Sequence, residues 1–154
     1  MINIKDLCDY IIVKTAEAGA ELSNLKMQKL AYYADAWHLA FYDEKLVDEN
    51  FQAWIHGPVS RQIYDRFLST KSLYSEITIS DCSPDFDESR IASKKAHIDS
   101  VLEAYGKFTG AQLEEMTHRE EPWVKAREGY RSTQRCEAQL DNDVIRDYYK
   151  KRLA

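Results

Sequence analysis

The segment Leu25-Lys-Met-Gln-Lys-Leu-Ala-Tyr-Tyr-Ala-Asp-Ala-Trp-His-Leu39 constrains this chain more than any other. Leu30, Ala34, Trp37 and Phe41 recur at helical spacing, with Met27 one turn before, so a helix with an apolar stripe is predicted. Ser23 or Asn24 suits its N-cap, and it runs to about Tyr42, where Asp43-Glu44-Lys45 makes a polar turn. The rest of the helix is unusual. Lys26, Gln28, Lys29, Tyr32, Tyr33 and His38 crowd it with long donors and phenols in place of a salt-bridged Glu/Lys face. The pattern predicts burial of Leu30, Ala34 and Trp37 beneath a polar, aromatic surface.

The flanking sequence extends a mainly α reading. Asn3 caps a first helix carrying Ile4, Leu7, Cys8 and Ile11 on one face and stopping at Gly19. Phe51-Gln-Ala-Trp-Ile55 alternates with period two, as a short strand does. His56-Gly57-Pro58 breaks that strand, and Pro58 is expected to open a helical turn leading through Val59 to Phe67. Glu76 to Ser80 alternates again, so Phe51–Ile55 and the region near Ile77–Ile79 are expected to pair as a two-stranded antiparallel ribbon. Ser80 to Glu88 is an acidic loop broken by Pro84. Beyond it, Ile91, Ile98, Val101, Leu102 and Tyr105 face inward on a helix stopped at Gly106. Thr109 to Gln112 has the form of a capping box, Thr117 to Glu120 repeats it, and Pro122 begins a turn carrying Trp123. Val144, Ile145, Tyr148 and Tyr149 mark a closing helix. The expectation is one domain, residues 1–154, with a compact mainly α fold and a small two-stranded antiparallel β element.

Charge and chemistry exclude several function classes. Residues 1–90 carry 9 Lys+Arg against 15 Asp+Glu, and residues 91–154 carry 12 against 11, for a net charge of −5. The one basic cluster, Arg146, Lys150, Lys151 and Arg152, sits where cations favour a helix C-terminus, so nucleic acid is not an expected partner. Cys8, Cys82 and Cys136 have no metal-like spacing, and Cys8 lies on an apolar stripe; free thiols in a reducing cytoplasm are expected. No run approaches the roughly 20 apolar residues of a membrane span. There is no Gly-x-Ser-x-Gly, no glycine-rich phosphate cradle and no convergent His or Cys pair, so no catalytic residue, metal or cofactor is expected. Glu114–Glu115 and Glu120–Glu121 read as solvent-facing pairs. What stands out is the ring content: 10 Tyr and 3 Trp, rings that suit a core, an interface or a pocket edge.

Leu25 to Leu39 and Phe51 to Val59 together resemble the signature K-x-Q-K-L-x-Y-Y-A-x-x-W-H-L followed by x-x-A-W-x-x-G-P-V. That signature belongs to the Panacea domain, also called the SocA-like or phage-associated protein family. Val101 to Gly106, Leu113 and Thr117-His-Arg-Glu-Glu-Pro-Trp123 resemble its second block, and the likeness covers the whole chain. Ala31 departs from the pattern, where Leu is commoner. The resemblance implies an antitoxin of a toxin–antitoxin system, found in bacterial genomes and prophages, whose partner is a cognate toxin encoded by a neighbouring gene. One relative delivers its toxin to a cellular protease, so a protease stands as a second partner. Some relatives add DNA-binding segments, for which this chain has no room.

The partner-binding expectation falls on the motif residues: Lys26, Gln28, Lys29, Tyr32, Tyr33, Trp37, His38, Trp54, His56, Gly57, Pro58, Thr117, His118, Glu121, Pro122 and Trp123. Gln28 and Tyr32 lie one turn apart, while His38 points well away from Tyr32 and reads as a core histidine. The cluster built from Gln28, Tyr32 and His118 either contacts the toxin or is an internal network holding the turns. The alternative function is a prophage-encoded small-ligand binder or an enzyme using that same region.

Overall fold

Helix ends follow local side-chain chemistry. In the computed structural model, which describes residues 1–153, α1 spans Ile4–Glu17 and Asn3 Oδ1 accepts from the Lys5 N–H at 2.8 Å. The chain leaves it through Gly19 at φ +66°. α2 spans Asn24–Tyr42, with Ser23 Oγ accepting from Lys26 N–H at 3.0 Å, and stops where Asp43 turns left-handed at φ 57°. Then come β1 (Gln52–Trp54), β2 (Gly57–Val59) and α3 (Arg61–Phe67). α4 (Lys95–Tyr105), α5 (Gly110–His118), α6 (Glu121–Ala126) and α7 (Asn142–Lys150) complete seven α-helices among the described residues. Three short 3₁₀ turns cover Ile79–Asp81, Glu88–Lys94 and Lys151–Leu153. The mainly α class with one small antiparallel sheet is as the sequence leads one to expect.

α2 is the axis of the molecule. It packs against α1, α4, α5, α7 and β2, so every side of it is covered. This overturns the expected polar-aromatic surface: Lys26, Gln28, Lys29, Tyr32, Tyr33 and His38 are all buried. The apolar stripe is correct for Leu30 and Ala34, but Trp37 is only half-buried and Phe41, near the helix end, is 54% exposed. A periodicity argument assumes one wet face. A helix wrapped on all sides has none, and lysine stems and tyrosine rings supply apolar bulk while their tips find partners.

The sheet is a hairpin, not the expected ribbon with Ile77–Ile79. β1 and β2 pair antiparallel, Gln52 opposite Val59 and Trp54 opposite Gly57, leaving Ile55-His56 as a two-residue loop. Closing that loop costs far less chain entropy than reaching Ile77, and Gly57 at φ +100° permits the tight reversal. Pro58 is therefore a strand residue, and α3 begins later, capped by Ser60 Oγ accepting from Ile63 N–H at 3.2 Å. Pro58 is tolerated because it faces Ala53, whose N–H donates to Ala138 O at 2.8 Å and whose carbonyl accepts from Arg127. Ile77 instead donates its N–H to Leu22 O at 2.7 Å.

The Thr109 capping box forms, but its expected repeat at Thr117 does not. α5 continues through His118, so Thr117 Oγ1 donates to Glu114 O at 2.7 Å within that helix. Glu120 caps α6 without a side-chain bond, and Pro122 does sit in its first turn. Gly106 ends α4 in a right-handed conformation at φ −62°.

Candidate functional site

Gln28 and Lys29 of α2 tie the hairpin down, while Lys26 holds the end of α4. The Gln28 amide brackets the Ser60 backbone, accepting its N–H at 2.8 Å and donating to its carbonyl at 3.2 Å. Lys29 Nζ donates to Pro58 O at 2.9 Å, and Lys26 Nζ reaches Gly106 O at 2.6 Å. Lys29 is fully buried, and loss of hydration brings its ammonium down to about 7, partly opposed by Glu114. Gly57 has to be glycine here: a Cβ would lie 2.6 Å from Lys29 Cε and 2.8 Å from Thr117 Oγ1.

A second assembly joins α2 to α6 and α7. Tyr33 and Tyr149 both donate to Glu120 Oε1, at 2.8 and 2.7 Å, and the Tyr32 hydroxyl meets that of Tyr149 at 3.2 Å. Trp37 Nε1 donates to Tyr105 OH at 2.8 Å, and Tyr33 stacks on Tyr105 at 4.1 Å. Burial raises all three phenols that face Glu120, and it raises the Glu120 carboxyl too, against the pull of the two donated hydroxyls. Glu120 was expected to face solvent; it is half-buried at the centre of this group. No spacing in the sequence joins it to Tyr33, 87 positions away.

The Thr117–Trp123 block packs on the hairpin from the other side. Trp123 Nε1 donates to Trp54 O at 2.8 Å, and the His118 ring stacks on Trp123 at 4.1 Å. Burial lowers the His118 pKa, and its Nε2 is buried without a partner. Arg127, absent from the sequence expectations, donates to Ala53 O at 2.7 Å and lies 5.1 Å over the Trp123 ring. Pro122 is buried and Glu121 is exposed. His38 is internal, its Nδ1 2.6 Å from Glu44 O. Gln28, Tyr32 and His118 thus have different partners, Ser60, Tyr149 and Trp123, and among the described residues no hydrogen bond joins the three.

The hairpin's outer side is open. A cleft of about 500 Å³ runs between it, α3 and the strand-like segment before Ala138. Trp54 and His56 line it, with Gln28 at its base. Trp54 meets Tyr64 edge-on at 4.9 Å, and Arg61 lies 5.1 Å over Trp54 and 5.7 Å over Tyr64. His56 Nδ1 is 2.9 Å from Glu114 Oε1, which fixes the hairpin tip against α5. Arg61 pairs with Glu137, which Arg135 approaches at 3.6 Å. Sequence reasoning missed Arg61, Tyr64 and Arg135 because single charges and rings outside a motif carry no signal until folding gathers them. Among the described residues, no three His, Cys, Asp or Glu side chains converge on a possible metal position, and no helix is long and apolar enough to cross a membrane.

Similarity to known proteins covers the part of the chain that builds this arrangement. Antitoxin SocA of Caulobacter vibrioides (strain NA1000 / CB15N) is 23% identical, over 97% of this chain and 83% of its own length. No solved structure matches the chain. The family model described as "Antitoxin SocA-like, Panacea domain" matches residues 27–124, from the first turn of α2 through the hairpin to Val124 in α6. With most of the axial helix, the tethered hairpin and the Thr117–Trp123 block inside that span, the chain belongs to the SocA-like Panacea family.

Proposed function

We propose that this protein is an antitoxin that neutralises a toxin protein, encoded by a neighbouring gene, through direct binding and without turnover of its own. Family membership supports the class of activity. The observation that carries the binding mode is the cleft: Trp54, Tyr64 and Arg61 are the residue types that dominate interface energetics, and here they are held together on a rigid base. Gln28 and Lys29 anchor β2 and the start of α3 to α2, and Trp123 anchors β1, so the display surface is organised before a partner arrives. In this reading the motif residues Gln28 and Lys29 of α2 brace the contact surface, while Trp54 and His56 belong to it.

Co-expression with the neighbouring gene product tests this. Wild-type protein should relieve growth inhibition and co-purify with the toxin. Trp54→Ala should weaken both, while leaving the melting transition within a few degrees of wild type. Toxin abundance separates the two modes of neutralisation: a constant level accompanies occlusion, and a falling level that depends on a protease accompanies delivery for degradation. Relief of toxicity without any physical association would overturn the proposal.

A further inference from the structure

The cleft beside the hairpin differs in charge from the rest of the molecule. Arg61, Lys71 and Arg135 line it against a single carboxylate, Glu137, on a chain whose net charge is −5. Glu137 faces both Arg61 and Arg135, so one negative charge is shared between two guanidiniums. Arg135 is 82% exposed at its side chain, and Lys71 is 3.3 Å from Asp81 outside the cleft. A carboxylate entering here therefore finds guanidinium donors that Glu137 alone leaves incompletely matched.

The second observation is the Trp54–Tyr64 pair on the same wall, whose rings meet at 4.9 Å with the Arg61 guanidinium 5.1 Å over Trp54. Aromatic surface thus sits directly beside a guanidinium, so the cleft suits a ligand that carries a carboxylate and an apolar side chain together. A free phosphate or a simple carboxylate anion supplies only the first. A peptide supplies both.

We propose that the cleft takes an acidic segment of the toxin, with carboxylates on Arg61 and Arg135 and a side chain against Trp54 and Tyr64. This rests on the antitoxin reading above and names the chemistry of the partner at that surface. Since the molecule's overall charge repels an acidic chain, the basic cleft acts as a local filter and selects where such a segment docks.

The test uses the full chain and two kinds of probe: the full-length neighbouring gene product, and fluorescein-labelled decapeptides tiled along it, read by anisotropy. Tiles rich in Asp and Glu around an apolar or aromatic residue should bind, and added salt should weaken them. Arg61→Glu combined with Arg135→Glu should reduce affinity for those tiles and for the whole toxin by about tenfold or more. Tyr64→Ala should weaken both in the same direction. Glu137→Gln should strengthen tile binding by releasing both arginines, a gain that no folding defect produces. If wild type and the double variant capture the whole toxin equally, the acidic-segment proposal is overturned and the antitoxin reading stands. If wild type captures no toxin, the antitoxin reading fails and this proposal with it. If inorganic phosphate or glutamate occupies the cleft and no tile competes, the cleft is a small-anion site and the proposal is overturned.

Discussion

Lys29 shows how costly a single motif residue is to keep. Its stem fills space between α2 and the hairpin, and its Nζ has one protein acceptor, the Pro58 carbonyl, in a site sealed from water. The ammonium ordinarily titrates at 10.5 and burial brings it to about 7. Between those values the unfolded chain holds a proton that the folded chain lacks, so stability from this residue rises with pH. It is fully present above 10.5, declines as pH falls, and is lost through about 7. Lys29→Met should remove that slope: urea midpoints at about pH 7 and about pH 10 should converge relative to wild type. An unchanged difference between the two proteins at both pH values would contradict the buried neutral amine. Leu30, 1% exposed on the same helix, should lose about 2–5 kcal/mol as Leu30→Ala by the ordinary cavity cost. Leu30 was legible as a core residue from spacing alone. Lys29 was not, since a lysine's neighbours decide whether it faces water or a carbonyl.

Among the elements, the β1–β2 hairpin is the one whose geometry depends most on a single backbone position. Gly57 combines φ +100° with the close approach of Lys29 and Thr117, so an alanine there meets both backbone strain and side-chain overlap. Gly57→Ala should cost about 1–3 kcal/mol and loosen the tip that carries His56. Chemical denaturation gives the first effect. Faster amide exchange at Ile55 and His56 gives the second, and protection equal to wild type would show that the tip is held by other means. The periodic stretch Phe51–Ile55 was legible as a strand, but its partner was not. Alternation pointed to the region near Ile77–Ile79, whereas the true partner, Gly57–Val59, carries no such pattern and won because a two-residue loop costs less chain entropy than a long one. The same limit explains Thr117: its capping-box spacing is satisfied locally, yet α5 runs on because its buried face packs against α2 and β2.

At the scale of the whole molecule, Glu120 is where three helices are joined. It receives hydroxyls from Tyr33 on α2 and Tyr149 on α7, next to the start of α6. Glu120→Ala leaves two buried phenols without their acceptor and should cost about 2–4 kcal/mol, whereas Glu120→Gln keeps an acceptor and should stay within about 1 kcal/mol at neutral pH. Because burial raises the Glu120 carboxyl above its ordinary 4.5, its contribution to stability is full below that value and lost as pH rises through the folded value. Glu120→Gln should therefore flatten the stability profile across that acidic window, and a profile identical to wild type would remove Glu120 from the account. By itself the sequence determined the helix register, most helix ends, the Leu30 and Ala34 core positions and the motif blocks that mark the family, because caps, turns and periodicity act over a few residues. The tertiary structure alone decided that α2 is buried on all sides, that β1 turns back onto β2, that Glu120 gathers the tyrosines, and that Arg61, Tyr64 and Arg135 form a cleft with Trp54. Those outcomes depend on which distant groups exclude water from one another, and desolvation and long-range pairing leave no local trace in a chain's order of residues.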